Sequence, residues 1–106
     1  MFARKLEFDL VLIKKDEFLH KVREEVLPML KKQDGFIDVL GLTNEIKVEK
    51  ALMISLWETR EKALQYEKTV FPNIMSLLKP YLISPITVTP YMVETTLSEH
   101  LFSTLA

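Results

Sequence analysis

Apolar and polar positions alternate near the start of the chain. Leu6, Phe8, Leu10 and Leu12 occupy one phase, and Glu7, Asp9, Val11 and Ile13 the other. A period of two predicts a strand, and its second face turns apolar towards its end. After Lys14 and Lys15 the period changes: Phe18, Leu19, Val22, Val26, Met29 and Leu30 recur at helical spacing, with Asp16 placed to cap the helix. Pro28 lies inside that pattern. It has no N–H and its ring crowds the preceding turn, so the last turns should kink or loosen. Asp34 and Gly35 end the helix, with Gly35 as its left-handed cap.

Two short apolar runs, 36–42 and 51–57, flank the polar stretch 43–50 and predict a hairpin with a longer loop. Both runs are apolar in each phase: Leu52, Ile54 and Leu56 oppose Met53 and Trp57, and Phe36 and Leu40 oppose Ile37 and Val39. Thr59 is placed to cap a second helix carrying Ala63, Tyr66, Val70, Ile74, Leu77 and Tyr81, divided near Pro72. Residues 86–95 alternate again and give a last strand, in which Pro90 indicates an edge position or a bulge.

The order β-α-β-β-α-β, with right-handed crossovers, predicts an α+β ferredoxin-like fold: a four-stranded antiparallel sheet with both helices on one face. The domain should span 1–97, followed by a tail at 98–106. Two helices cover one side of a sheet only, so strands that are apolar on both sides predict a homodimer. Leu97 at the domain's end and Leu101 and Leu105 in the tail share one stripe if the segment is helical, with Ser98 as its cap. An ordered tail docked at the dimer rim is the expectation.

Composition narrows the possible partners. The 106 residues make one domain. Fourteen Lys and Arg against fifteen Asp and Glu leave a net charge of -1, so no overall field draws in nucleic acid. The chain has no Cys and two His, which removes thiolate chemistry and leaves no basis for a metal site. Met1 to Lys5 are followed by charged Glu7 and Asp9, so the apolar core of a secretory signal is missing. No apolar run approaches the roughly 18 residues of a membrane span. A cytoplasmic protein without membrane attachment is expected.

The segment Ile54-Ser55-Leu56-Trp57-Glu58-Thr59-Arg60-Glu61 closes a strand and opens a helix. It follows Gly35-Phe36, which itself comes after a helix containing Glu24-Glu25-Val26-Leu27-Pro28. Together these resemble the antibiotic biosynthesis monooxygenase domain of the dimeric α/β-barrel superfamily, over roughly Leu6 to Thr95. The resemblance implies an oxygenase working without metal or flavin or any other cofactor, in which a deprotonated phenol or quinol reacts directly with O₂. The protein then supplies orientation and charge placement.

Trp57 matches the family's Trp and is the expected aromatic wall, on one strand face with Ser55 and Met53. The family's Asn four positions earlier is Met53 here, and its Tyr six positions later is Ala63. Tyr66, one turn further on, is the candidate hydroxyl. The His of heme-degrading relatives has no counterpart between Glu58 and Leu82, which speaks against heme degradation.

Each candidate also has a plainer reading. A buried Trp is more often core or interface, and a buried Tyr usually bonds its hydroxyl to a neighbour. Arg60 in a first helical turn opposes the helix dipole, yet solvated Arg is common. Asp38 interrupts an apolar strand and is a candidate base if it lines the pocket, or an exposed edge residue if it does not; Asp9 poses the same question. His20 falls on a polar helix face, and His100 lies in the tail.

Two functions follow. One is a cofactor-independent monooxygenase acting on a small aromatic, with Trp57, Tyr66, Ser55 and Asp38 as substrate-binding residues. The other is a non-catalytic dimeric barrel that binds a small hydrophobic ligand or simply pairs with itself. A Trp57 packed on all sides would remove the first.

Overall fold

The computed structural model describes residues 1–98. Four strands form one antiparallel sheet: β1 (Phe2–Asp9), β2 (Phe36–Thr43), β3 (Lys50–Trp57) and β4 (Thr87–Met92), in the spatial order β2-β3-β1-β4. α1 (Lys15–Lys21) and α2 (Leu27–Lys31) connect β1 to β2, and α3 (Arg60–Thr69) and α4 (Phe71–Leu78) connect β3 to β4. This is the ferredoxin-like arrangement that the element order predicts.

The first strand begins earlier and stops sooner than the alternation suggests. Phe2 pairs with Trp57 on one side and Met92 on the other, which draws the first residues into the sheet. Beyond Asp9 the backbone leaves the ladder. Leu10 N–H donates to the Glu49 carbonyl and Val11 N–H to the Tyr81 carbonyl, and a 3₁₀ turn at Leu12–Lys14 leaves Leu12 and Ile13 exposed. Asp16 therefore falls in the first turn of α1, where its charge suits the helix dipole, and is not the cap.

Pro28 acts as its chemistry requires. The turn before it, Val22–Val26, is π-helical, with the Leu27 N–H reaching back to the Val22 carbonyl. A widened turn accommodates a ring that an α-helical turn would crowd. Gly35 takes φ 81°, but not as the helix cap: α2 is capped at Lys32, and Gly35 supplies the left-handed position of the following turn, closed by Phe36 N–H donating to the Gln33 carbonyl. The Thr59 hydroxyl accepts from the Lys62 N–H at 3.2 Å and caps α3.

The second helical segment breaks at Val70, one residue before Phe71 and Pro72. The break shifts the buried stripe, so Phe71, Ile74 and Leu78 enter the core of α4 where one unbroken period points to Leu77. Pro90 sits on edge strand β4 as expected.

Ala51, Met53, Ser55 and Trp57 on β3 are buried beneath the helices, while Leu52, Ile54 and Leu56 on the other face are half-buried. On β2 the phase differs from strict alternation. A bulge between Phe36 and Asp38 puts Phe36 and Val39 on the helix side and Leu40 on the open side, so Phe36 and Leu40 do not share a face. The expected tail helix, with Leu101, Phe102 and Leu105, falls within 99–106, outside the described residues. No helix among the described residues is long and apolar enough to cross a membrane.

Candidate functional site

Sheet register groups the helix-side residues into rows. Val39, Ser55 and Arg4 form one row across β2, β3 and β1; Gly41, Met53 and Leu6 form the next; Phe36, Trp57 and Phe2 lie on the far side of the first. Ser55 and Trp57 are thus neighbours on one face, and the buried indole N–H donates to Ser55 Oγ at 3.0 Å. α3 lays Tyr66 over them, its ring centroid 4.7 Å from that of Trp57, and Phe36 meets the indole in a T-shaped arrangement with centroids 5.6 Å apart. Trp57 is 0% exposed. Enclosed by Phe36, Tyr66 and the sheet, it borders neither helix-side cavity, and the aromatic-wall role expected of it is not what its surroundings offer.

Three of the four candidates come together: Trp57, Ser55 and Tyr66. Asp38 does not join them, because the bulge turns it to the open face, where its carboxylate accepts from the Val39 N–H at 2.8 Å and stays exposed. Asp9 pairs with Lys50 at 2.9 Å. His20 and Arg60 are exposed. Burial pushes the Tyr66 phenol up to about 12, against the pull of the neighbouring Arg4 charge, so at neutral pH it is a protonated donor and not a base.

Arg4 is the residue that sequence reasoning missed. It is 1% exposed, with its guanidinium carbon 4.5 Å from the Phe71 ring centroid and 5.2 Å from that of Tyr66. Its Nε lies 3.7 Å from Glu67 Oε2, beyond hydrogen-bond length. Nε and Nη2 have no acceptor among the described residues. Burial lowers its pKa, opposed by Tyr66 and Glu67. A signal for it existed in the sequence: Arg4 keeps the phase of Phe2, Leu6 and Phe8, a charge in an inward position.

Two adjoining spaces lie between sheet and helices. The inner one, bordered by Arg4, Ser55 and Tyr66, has a volume of about 10 Å³, no more than one water requires. The outer one is an apolar cleft of about 280 Å³ walled by Phe18, Val22 and Leu27 and by Val39, Gly41 and Met53. Phe8, Val39 and Met53 border both. A shallower groove of about 460 Å³ runs outside this layer, between α4 and residues 82–86, away from every candidate. Among the described residues no group of three or more His, Asp or Glu could hold a metal ion.

No family model matches the sequence, and neither does any curated protein. Solved structures do share the fold. A conserved protein from Methanosarcina mazei is 19% identical, covering 89% of this chain and 94% of that one, at a TM-score of 0.74. A Nitrosomonas europaea protein, described as a candidate antibiotic biosynthesis monooxygenase, is 13% identical over 89% of this chain and 99% of that one, also at 0.74. A Streptomyces coelicolor monooxygenase from the gene ActVA-Orf6, solved with nanaomycin D, is 11% identical over 88% of this chain and 87% of that one, at 0.75. The chain therefore has the fold of antibiotic biosynthesis monooxygenase domains.

Proposed function

From that fold, we propose that this chain is a homodimeric α/β-barrel protein that binds a small, largely apolar molecule in the cleft between α1 and the β2–β3 hairpin. One observation carries the reading: the apolar cleft has open space in front of Gly41 on its β2 wall. A Cβ built there would meet nothing within 4 Å, and the backbone is in an ordinary conformation, so the space and not the chain geometry distinguishes this position. Glycine within a strand weakens it, and a common reason for its presence is the approach of a ligand. At about 280 Å³ the cleft stands at the small end of ligand sites.

Calorimetric titration with 3-phenylpropanol tests this. Saturable binding at one site per chain is expected, and Gly41→Leu should abolish it while leaving the melting temperature near the parent value. Equal binding by both proteins would overturn the assignment.

The enclosure of Trp57 sets aside the other expectation, cofactor-independent oxygenation of a phenol or quinol, whose remaining support is the names and ligand of the fold neighbours. Met53 and Ala63 stand where the resemblance wants polar groups, and Trp57 has no free face. Protein-dependent O₂ consumption with a dihydroxy-aromatic, without added metal or flavin and slowed by Trp57→Phe, would put this reading first.

A further inference from the structure

Arg4 carries an inference that rests on the cleft reading and gives its ligand a chemical class. On a guanidinium, Nε–H and one Nη2–H point from the same edge, spaced to meet the two oxygens of a carboxylate. On Arg4 these two groups are buried without an acceptor among the described residues, and the guanidinium carbon lies over the Tyr66 and Phe71 rings. Arg4 is part of the wall of the inner space, with Ser55 and Tyr66 beside it. Glu67 gives the buried guanidinium a counter-charge at 3.7 Å but no hydrogen bond, so a ligand anion seated on the Nε/Nη2 edge would offset more of its desolvation cost.

The inner space is too small for such a ligand, yet only a thin partition separates it from the cleft. Met53 borders both, one strand and one row away from Arg4, a separation of roughly 8 Å. Methionine is the apolar side chain most able to change shape, through three rotatable bonds.

We propose that the ligand is a small carboxylic acid with an apolar body, the body lying in the cleft and the carboxylate passing Met53 to take the Nε/Nη2 edge of Arg4. Glu67 modulates this site. Its side chain is 44% exposed and hangs near the same edge, so it competes with the incoming anion and repels it.

Calorimetry with a matched pair of probes, 3-phenylpropionate and 3-phenylpropanol, tests the proposal at neutral pH. The acid should bind at least tenfold more tightly than the alcohol. Arg4→Met keeps the apolar stem, and should remove that preference while leaving alcohol binding unchanged. Glu67→Gln alters a half-exposed residue, keeping the test open if Arg4→Met fails to fold; it should tighten binding of the acid severalfold and leave the alcohol alone. Equal affinities for acid and alcohol in the parent protein would overturn the assignment to Arg4 and leave the cleft reading standing. So would an acid affinity indifferent to Glu67→Gln. If neither probe binds, the cleft reading falls as well.

Discussion

At the scale of single residues, the helix side of the sheet is an aromatic stack with one cation inserted into it. Phe36, Trp57, Tyr66 and Phe71 follow one another at ring separations of 4.7 to 6.0 Å, and Arg4 rests against the last two. Each cation–π contact contributes about 0.5–2 kcal/mol, which offsets only part of the desolvation of a buried charge. Tyr66 gives this environment a measurable signature. Its phenol is raised from 10.0 to about 12 by burial, so between those values the native state keeps a proton that the unfolded chain has released. The contribution is complete below pH 10 and is lost as pH rises through the folded value, a fall of roughly 2–3 kcal/mol. Urea titrations of the parent protein should show this alkaline loss, and Tyr66→Phe should lack it; parallel pH profiles for the two would contradict the burial-driven shift. That Trp57 lies on a buried strand was readable from the apolar run; that its face is the one beneath the helices was not, because both phases are apolar. Whether it faces a cavity was not, because Phe36 reaches it from another strand and Tyr66 from a helix.

Elements were readable wherever local chemistry decides them. Gly35, Thr59, Pro28 and Pro90 each act as backbone stereochemistry dictates: a left-handed turn position, an N-cap, a widened turn and an edge strand. Elements were misread where a contact distant in sequence decides. β1 ends at Asp9 because its continuation bonds to Glu49 and Tyr81, and β2 changes phase at a bulge that no residue type announces. The two glycines make the contrast testable. At Gly35 a methyl group would meet the Lys62 side chain, whose Cβ lies 2.7 Å from the added atom, and would have to adopt φ 81°. Gly35→Ala is expected to cost at least about 1–2 kcal/mol, read as a lower urea midpoint with an unchanged slope. Gly41→Ala, in open space, should leave the midpoint unchanged or raise it. A similar loss at both positions would mean that conformation and space are not what separates them.

For the molecule as a whole, the uncovered face of the sheet is the dominant feature. Leu40 is 56% exposed and Leu42 43%, beside half-buried Leu52, Ile54 and Leu56, while Lys5, Glu7 and the Asp9–Lys50 pair occupy the β1 side. A contiguous apolar patch rimmed by charge is the pattern of an interface, and a second copy is the cover proposed here. Light scattering at low micromolar concentration should find a dimer, and Ile54→Glu, placing a carboxylate in the patch, should give a folded monomer; a parent protein that is already monomeric would overturn the homodimer. The number and order of strands and helices, the Thr59 cap, the ferredoxin-like arrangement and the two-sided character of the strands were determined by the sequence alone, because each follows from periodicity and local stereochemistry. Which polar residues meet was decided only in three dimensions. Asp38 leaves the site through a bulge, Trp57 is sealed by residues from β2 and α3, and Arg4 gains its buried edge because β1 runs between β3 and β4 beneath α3 and α4. Burial and pairing are properties of neighbours far apart in the chain, and periodicity says nothing about which of them will be adjacent.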